Sequence, residues 1–334
     1  MPVSIKDIAK KLDVSPSTVS RALHNHPRIS RAMCDRVQAA AREMDYVPSA
    51  AARDLVAQRS AMIGVALADF MDPYYARQIL GMEEAATAHG YQIVFSCFYR
   101  QAERERAIVR SFQERRMEGI IITGSEQADA YGRDNGYSFG PTVLINSPTH
   151  PHSVSIDGVA GAKAIVTHLI ELGHRRIAYV AWQANHQNGR NRLNGYRAAL
   201  AERAIPLDEA LIVSGDGGTA GGVEAVARLL ALPQPPTAIF CFNDRTAIGV
   251  LHGLRQQGYD VPRDFAVAGY DDLEMALYYH PPLTTVRQPS AEIGRRAVSM
   301  LLRLLAGAER VEPEIVAPRL VVRRSTVRLA DVGY

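Results

Sequence analysis

Hydroxyl side chains and one arginine cluster near the start of the chain, in the order Ser15, Pro16, Ser17, Thr18, Ser20, Arg21. A serine or threonine hydroxyl can hydrogen-bond a phosphate or a base edge, and an arginine can bond a guanine edge through two N–H groups. Because Ser15 is a good N-cap and Pro16 suits the first helical position, the spacing predicts one short helix that carries these groups on its polar side. Such chemistry fits double-stranded nucleic acid.

Three short helices are predicted over residues 1–46. Apolar residues recur at helical spacing from Ile5 to Leu12, a second helix begins at Pro16, and Ser30 can cap a third. A helix, a tight turn and a second helix fit a helix-turn-helix, whose second helix enters the major groove. Any capped helical hairpin shows the same pattern, so a generic three-helix module is the alternative.

The positive charge is concentrated at the N-terminal end. The chain of 334 residues holds 38 Lys and Arg against 35 Asp and Glu, a net charge of +3. Residues 1–60 hold ten basic against six acidic residues, or +4, and the remainder holds 28 against 29, or −1. A basic N-terminal piece on a neutral body favours a polyanionic partner for that piece.

The cysteines and the apolar runs exclude several protein classes. Cys34, Cys97 and Cys241 are odd in number and form no CxxC pair, which argues against zinc or a disulfide framework and favours buried thiols. The N-terminus lacks the apolar core of a secretory signal, and the apolar runs are far shorter than the ~20 residues of a membrane span. We therefore expect no metal, no membrane and a cytoplasmic location.

From residue 62 onward, strand-like runs alternate with amphipathic helices. The runs span 63–68, 92–96, 119–123, 142–145, 177–181, 211–214, 238–242 and 265–269. Repeated strand–helix–strand order predicts an α/β fold of parallel sheets with helices on both faces, and eight strands predict two halves. Ligands of such folds bind beyond the carboxyl ends of the strands.

An alanine-rich stretch separates the two regions. Two helical turns after Pro48 are too short to be stable alone in water, so residues 47–60 are interpreted as a conditional linker. The predicted organisation is therefore a headpiece at 1–46, this linker, and a body at 61–334.

Several segments, in order along nearly the whole chain, resemble the lactose-repressor (LacI/GalR) family of bacterial transcription regulators. They include VSIKDIAKKLDVSPSTVSRALH (3–24), YVPSAAARDL (46–55), CFNDRTAIGVL (241–251) and VPRDFAVAGYDD (261–272). The resemblance implies a helix-turn-helix headpiece on a two-lobed body similar to periplasmic binding proteins. It places the N-lobe at about 61–157 and 288–317, and the C-lobe at about 158–287 and 318–330. One departure is Asp13, where the family usually has glycine; aspartate tolerates the left-handed backbone of such a turn.

The resemblance also implies the roles of individual headpiece residues. Base-reading positions are occupied by Pro16, Ser17 and Arg21, and phosphate contacts are expected at Ser15, Thr18 and Ser20. In the linker, Ser49 caps a hinge helix and Arg53 reaches phosphate. Leu55 matches the family's minor-groove wedge, which bends the duplex by entering a base step; the alternative is an apolar contact within the linker.

Members of this family bind small effectors between the lobes. The candidate residues of this chain lie at strand ends and in the segments that follow them: Asp69, Phe70, Tyr74, Tyr75, Asn146, Arg192, Asn243, Asp271 and Gln288. The aromatic rings are expected either to stack on a ligand or to pack within the lobes. Each asparagine is expected either to contact the ligand or to have a structural role. Arg192 offers a fork of donors, and Asp271 accepts from two hydroxyls. This set favours a sugar or sugar acid, with a purine or nucleoside as the alternative.

Two other functional classes were weighed against this interpretation. GDGGTA (215–220) fits the dinucleotide pattern GxGxxA, but the following acid, Asp244, lies 29 residues beyond Gly215 rather than the usual ~20. An enzyme is therefore not expected, nor is a cofactor. A solute-binding protein predicts a signal peptide and no basic headpiece.

Symmetry arguments complete the expected partners. The tail STVRLADVGY (325–334) has no leucine heptad, which favours a homodimer over a tetramer. A dimer with one headpiece per half-site matches a near-palindromic operator.

Overall fold

Contacts divide the chain into two compact units, Met1–Ser60 and Ala61–Tyr334. The computed structural model describes residues 3–47, 59–125, 127, 131, 140–182 and 186–326. The linker residues singled out above, Ser49, Arg53 and Leu55, lie outside these ranges.

The first unit packs three helices around one apolar cluster: α1 (Ile5–Leu12), α2 (Pro16–Leu23) and α3 (Arg31–Glu43). Ile8, Val19 and Val37 are fully buried at its centre. Asp13 ends α1 with φ 54° and ψ 49°, the left-handed conformation expected for the turn. The substitution of glycine by aspartate therefore preserves the tight connection between α1 and α2.

Local chemistry fixes the start of α2. Pro16 occupies its first turn, where a missing N–H leaves no hydrogen bond unmade. The Ser15 Oγ accepts a hydrogen bond from the backbone N–H of Thr18 at 3.1 Å. The predicted N-cap is confirmed.

The second unit contains two parallel sheets, each between layers of helices. The first has the order β11-β5-β4-β3-β1-β2 and the second β7-β6-β8-β9. Strands of the first are β1 (Met62–Leu67), β2 (Gln92–Cys97), β3 (Gly119–Thr123), β4 (Thr142–Ile145), β5 (Ser153–Ile156) and β11 (Glu314–Val316). Strands of the second are β6 (Ile177–Ala181), β7 (Ile212–Ser214), β8 (Ala238–Cys241) and β9 (Ala266–Ala268). Two further strands, β10 (Thr285–Arg287) and β12 (Arg319–Val321), pair antiparallel.

The helices define two lobes. We call the first sheet with its helices the N-lobe; these are α4 (Pro73–Ala88), α5 (Ala102–Glu114) and α11 (Ser290–Leu305). The second sheet with its helices and the β10–β12 pair is the C-lobe; these are α6 (Gly158–Glu171), α7 (Gln187–Glu202), α8 (Thr219–Leu230), α9 (Asp244–Gln256) and the short α10 (Glu274–Tyr278). In the described residues the chain passes between the lobes three times, near 157, 288 and 317. The predicted α/β architecture is confirmed.

Each sheet is buried on both faces. In the N-lobe, Val143 and Ile145 join a cluster with Ile293 of α11, whereas Leu144 points to the opposite cluster with Phe112 of α5. Alternate residues of a strand point to opposite faces, so an apolar run is required where both faces are covered. This explains why the strands were recognisable as apolar runs.

Two glycines let α4 and α11 cross in backbone contact. A Cβ on Gly81 would lie 1.9 Å from the carbonyl oxygen of Ala291, and one on Gly294 would lie 2.2 Å from that of Gln78. A side chain at either position would force the helices apart. The contact fixes α11 to the N-lobe although it follows the C-lobe strands in sequence.

The structure adds four strands that the sequence did not reveal. β5, β10, β11 and β12 have three or four residues each, and β5 alternates serine with apolar residues. The predicted run 211–214 also begins later, because Leu211 ends a 3-10 turn and β7 starts at Ile212. All three cysteines are buried free thiols, which confirms the expectation for Cys97 and Cys241 beside their apolar runs. No helix among the described residues is long and apolar enough to cross a membrane.

Candidate functional site

The polar side of α2 presents the groups that the sequence singled out. Ser15, Pro16, Ser17 and Arg21 are exposed, and Thr18 and Ser20 are half-buried. The Ser15 Oγ lies 2.8 Å from the Ser17 Oγ and 2.9 Å from the Thr18 Oγ1, so these hydroxyls form one hydrogen-bonded cluster at the helix start. Exposed hydroxyls at a helix N-terminus are suited to phosphate.

In the second unit, a cleft opens where the strands of both lobes end. It encloses about 390 Å³ of space not filled by protein atoms, part of it open to solvent. The lining residues are Asp72, Tyr74, Tyr75, Arg100, Trp182, His186, Asn188, Arg192, Gly217, Phe242, Asn243 and Asp271. They follow β1 and β2 of the N-lobe and β6, β7, β8 and β9 of the C-lobe. The cleft therefore lies at the carboxyl ends of both parallel sheets, where such folds bind ligands.

Five of the predicted effector residues form one continuous hydrogen-bonded chain. The Arg192 Nη2 donates to the Asp271 Oδ1 at 3.2 Å, and the Gln288 Nε2 donates to the same oxygen at 2.5 Å. The Tyr74 hydroxyl donates to the Gln288 Oε1 at 3.4 Å and accepts from the Asn146 Nδ2 at 2.9 Å. The chain thus runs from the C-lobe to the N-lobe through Gln288 at the crossover.

Arg192 is held by groups on three sides. Its guanidinium donates to the carbonyl oxygen of Phe242, and its Cζ lies 4.2 Å from the Phe242 ring centre and 3.9 Å from that of Tyr270. Only 4% of Arg192 is exposed. A cation between two aromatic rings is stabilised by their quadrupoles. The Arg192 guanidinium is therefore already oriented before a ligand binds.

Asp271 is a buried carboxyl with an unusual pKa. Burial raises its pKa to about 7, while the Arg192 charge and the hydrogen bond from Gln288 act in the opposite direction. Its backbone has φ 116°, which is rare outside glycine. The carboxyl is therefore present in both protonation states near neutral pH and can accept or donate a hydrogen bond.

Asn243 lines the cleft, but its polar atoms serve the fold. Its Oδ1 caps α9 by accepting from the N–H of Thr246 at 2.8 Å, and its Nδ2 donates to the carbonyl oxygen of Gly217 at 2.9 Å. Asp244 beside it is fully buried, and burial raises its pKa well above the ordinary value. It accepts from the Thr285 hydroxyl at 2.6 Å and so fixes the wall behind the cleft.

Four predicted effector residues are not among the lining residues of the cleft. Asn146 and Gln288 reach it only through their hydrogen bonds to the lining residues Tyr74 and Asp271. Asp69 and Phe70 have no such link among the hydrogen bonds of the described residues. Asp69 is used in a turn, since its Oδ1 accepts from the N–H of Met71 at 2.8 Å. The Phe70 side chain is 47% exposed. Neither is among the lining residues, because the chain turns away after β1 and returns only at Asp72, the N-cap of α4. Tyr74 and Tyr75, in the first turn of α4, take that place and are both buried.

An aromatic wall closes the C-lobe side of the cleft. The Trp182 ring centre lies 4.7 Å from that of His186 and 5.0 Å from that of Phe242. Burial, assisted by Arg100, Arg192 and Arg190, lowers the pKa of His186 to about 4, so its imidazole is neutral at pH 7. A flat apolar ligand face can pack on this wall while its hydroxyls meet the Arg192–Asp271 pair.

Comparisons with known proteins agree with both parts of this arrangement. Residues 4–49 match the model for bacterial regulatory proteins of the lacI family, and residues 166–326 match a periplasmic binding protein-like domain. The HTH-type transcriptional repressor CytR of Escherichia coli strain K12 is 35% identical over 307 residues, which cover 91% of this chain and 90% of CytR.

Solved structures give the same result over the full length. The lac repressor dimer bound to operator and the anti-inducer ONPF superposes with a TM-score of 0.89 at 28% identity, covering 98% of this chain and 100% of that one. The transcriptional regulator CelR in complex with cellobiose has a TM-score of 0.72 at 28% identity, covering 97% and 99% of the two chains.

The chain belongs to the LacI family.

As a LacI-family protein it is a transcriptional regulator, in line with the expectation that it is not an enzyme. The GDGGTA segment is the turn from β7 into α8, where Asp216 accepts from the N–H groups of Gly218 and Gly221 at 2.7 and 3.1 Å. Its own carboxylate thus caps the helix, and Gly217 from this turn lines the cleft.

Sequence reasoning missed several lining residues of this LacI-family cleft. Arg100, Trp182 and Phe242 were not among the predicted effector contacts. Trp182 directly follows the predicted run 177–181, as Asn146 follows the run 142–145. Phe242 was hidden because the predicted run 238–242 included it, whereas β8 ends at Cys241. Arg100 had no such signal, since it lies three residues beyond Cys97 in a loop.

Proposed function

We propose that this protein is a repressor that binds a near-palindromic operator as a homodimer and is controlled by a sugar or sugar acid in the cleft. The observation that carries the proposal is the hydrogen-bonded chain from Arg192 to Asn146. It connects the lining residues Arg192 and Asp271 of the C-lobe with the lining residue Tyr74 of the N-lobe, so both lobes offer polar groups to one cleft. A polyhydroxylated ligand matches this mixture of fixed donors and acceptors, and the aromatic wall matches the apolar face of a sugar ring.

On this proposal the headpiece reads DNA through α2. Arg21 contacts a guanine edge, Ser17 and Pro16 contact base edges, and the hydroxyls of Ser15, Thr18 and Ser20 contact phosphates. Ser49, Arg53 and Leu55 retain their proposed hinge roles. Lobe movement around the effector changes the affinity for operator, and by linkage operator changes the affinity for effector by the same factor.

A purine or nucleoside is the second candidate effector. The observation in its favour is the aromatic wall of Trp182 and Phe242, because a planar base stacks on such rings at least as well as a sugar face. The two candidates differ at the other end of the cleft, where a sugar offers several hydroxyls to the Arg192–Asp271 pair and a base offers ring nitrogens.

One experiment tests the proposal and separates the effector classes. The purified full-length chain is used to select operators from a random DNA pool, with and without a mixture of neutral sugars, sugar acids and nucleosides. Individual compounds are then titrated against the selected DNA by gel retardation and against the protein alone by Trp182 fluorescence. We expect a sugar or sugar acid to change both signals. If neither arm enriches any DNA sequence, the proposal of an operator-binding repressor is refuted. If only nucleosides change the two signals, the effector is a purine or nucleoside rather than a sugar.

A further inference from the structure

A cationic side chain of one lobe lies over an aromatic ring of the other. Arg100 follows β2 of the N-lobe, and Trp182 follows β6 of the C-lobe. The Cζ of Arg100 lies 4.6 Å from the centre of the Trp182 ring. A guanidinium at this distance is attracted by the ring quadrupole, most strongly for tryptophan. Because both residues line the cleft, the contact crosses it from lobe to lobe.

The Trp182 ring is confined by its own lobe. A Cβ on Gly217 would lie 3.0 Å from the Trp182 Cδ1, and Gly217 has φ 76°, so a glycine at this turn leaves room for the indole. Together with His186 and Phe242, this packing leaves Trp182 6% exposed. The C-lobe therefore fixes the position of the ring.

The N-lobe directs Arg100 towards that ring. Tyr99 and Arg100 have φ 48° and 58°, an unusual left-handed pair that reverses the chain after β2. The Arg100 Nη2 lies 4.0 Å from the Asp72 Oδ2. Asp72 is itself fixed, because its Oδ1 caps α4 by accepting from the N–H of Tyr74 at 3.1 Å.

A second contact crosses the cleft at the same carboxylate. The Arg245 Nη1 of α9, in the C-lobe, lies 3.6 Å from the Asp72 Oδ2. Asp72 is thus approached by one arginine from each lobe. The four residues Arg100, Asp72, Trp182 and Arg245 form a cross-cleft cluster whose members restrain one another.

We propose that Arg100 is a positioning residue of the effector cleft: by stacking on Trp182 from the opposite lobe, it holds the indole against the cleft wall and links the two lobes at this edge. The name effector cleft rests on the proposed function, whereas the contact and its tests do not. An opening of the lobes must separate Arg100 from Trp182. Removal of the guanidinium therefore favours open forms in which the indole meets solvent.

Trp182 reports directly on this contact because it is the only tryptophan of the chain. Acrylamide quenching of its fluorescence measures how often the ring is accessible. In full-length Arg100→Ala we expect the accessible population to rise about 2- to 30-fold, the factor equivalent to ~0.5–2 kcal/mol for a cation–π contact. Arg100→Lys keeps a cation near the ring and should restore most of the protection.

Arg104 provides the matched control. Its Cζ lies 4.7 Å from the Tyr99 ring centre, a similar contact but within one lobe. Arg104→Ala should leave the quenching of Trp182 unchanged. Equal quenching in Arg100→Ala and in the parent chain would overturn the proposal, and so would an equal increase in both alanine variants.

The titration of His186 gives a second readout, in which the comparison of Arg100→Met with Arg100→Lys separates the charge of Arg100 from its packing. Burial lowers the pKa of His186 to about 4, and among the charges Arg100, Arg192 and Arg190 act in the same direction. The imidazole contacts Trp182, so its protonation is followed by fluorescence between neutral pH and the onset of acid unfolding. Arg100→Met, which keeps an unbranched side chain without the charge, should move the midpoint upward; Arg100→Lys should not. An unmoved midpoint in a folded Arg100→Met chain, checked by far-UV circular dichroism, contradicts the assigned position of Arg100.

Neither readout requires effector or DNA. A failure of these tests therefore refutes the proposed role of Arg100 and does not affect the proposed repressor function. A failure of operator selection refutes the proposed function and leaves the cross-cleft contact untouched.

Discussion

Arg192 and Asp271 form an ion pair that is almost excluded from water, with 4% and 7% of the two residues exposed. Removing one partner of such a pair leaves the other charge buried, which typically costs about 3–5 kcal/mol. Asp271 has a second way to respond, because it can take up a proton. Its pKa of about 7 means that burial outweighs the attraction of Arg192 at this site.

This carboxyl makes the stability of the second unit depend on pH. A folded-state pKa above the ordinary ~3.9 means that the folded chain holds a proton that the unfolded chain releases. The contribution of Asp271 to the free energy of unfolding is therefore most favourable below about pH 4, and it declines as the pH rises towards 7. Asp271→Asn does not titrate, so relative to the parent chain its free energy of unfolding should improve between pH 5 and 7, by up to about 1.4 kcal/mol per pH unit. Urea unfolding at both pH values measures the difference.

Asp264→Asn is the control for this effect. The hydrogen bond from Arg263 lowers the pKa of Asp264, so its contribution changes only at acid pH. The difference in free energy of unfolding between Asp264→Asn and the parent chain should stay constant between pH 5 and 7. If the free energies of unfolding of Asp271→Asn and of the parent chain change in parallel between pH 5 and 7, Asp271 is ionised throughout this range.

At the DNA interface, Arg21→Ala should relax the sequence preference of the headpiece. An arginine bound to a guanine edge contributes about 1–3 kcal/mol of discrimination, or about 5- to 150-fold. The affinity for the selected operator should decrease, while the affinity for random DNA should change much less. Competition binding with both DNAs measures the ratio.

Arg42 is exposed in the last turn of α3 and is the matched control. Arg42→Ala should keep the ratio of specific to random binding. A parent-like ratio in Arg21→Ala would remove Arg21 from the base-reading set.

Residues that directly follow strands were the predictable part of the cleft. Asn146 directly follows the apolar run 142–145, and Asp271 comes two residues after the run 265–269. The strands of a parallel sheet end at one edge, where such folds bind ligands, so polar residues after each run were expected at the cleft. Arg100 was not predictable in this way. Its direction depends on two consecutive left-handed residues, neither of them glycine, and no composition signal marks such a turn. Asp69 lies outside the lining residues, and its carboxylate closes a local turn instead.

At the scale of elements, the packing of helices on each sheet depends on glycine as much as on apolar side chains. α4 and α11 meet where Gly81 and Gly294 face backbone carbonyls at distances that exclude a Cβ. Long apolar runs predicted the central strands, whereas β10, β11 and β12 were hidden because three residues are too few to show a period. Their pairing is determined by the tertiary fold rather than by local sequence.

Gly294→Ala should destabilise the N-lobe. The new Cβ would lie 2.2 Å from the Gln78 carbonyl oxygen, so α4 and α11 must separate. Overpacking of this kind costs about 1–3 kcal/mol, more than the gain in helix propensity of about 1 kcal/mol from replacing glycine. Urea unfolding followed by circular dichroism measures the change.

Ser299→Ala on the exposed side of α11 is the control for helix propensity. It should be neutral or slightly stabilising. A Gly294→Ala chain at least as stable as the parent chain would mean that the two helices are free to move apart.

At the scale of the whole molecule, the proposed function requires that headpiece and cleft, which one chain joins, respond to one another. Arg192→Ala should leave operator affinity within a few-fold of the parent chain while abolishing the response to effector. Coupling of this type corresponds to about 5- to 150-fold in affinity. Operator titrations with and without the effector found by screening measure it.

Arg197 lies on the same helix, α7, but is exposed and pairs with Glu209 at 3.3 Å. Arg197→Ala should retain the full response. A normal response in Arg192→Ala would place the effector elsewhere in the molecule.

The three crossings between the lobes also govern how the protein is made. Val143, Ile145 and Ile156 of the N-lobe sheet are covered by α11, which begins at Ser290, more than 130 residues later in the chain. A ribosome adding 5–20 residues per second needs about 7 to 27 s to reach it. Throughout this interval the part of the apolar sheet that α11 covers in the folded protein is exposed on the nascent polypeptide, and we expect chaperones that attend translation to bind it.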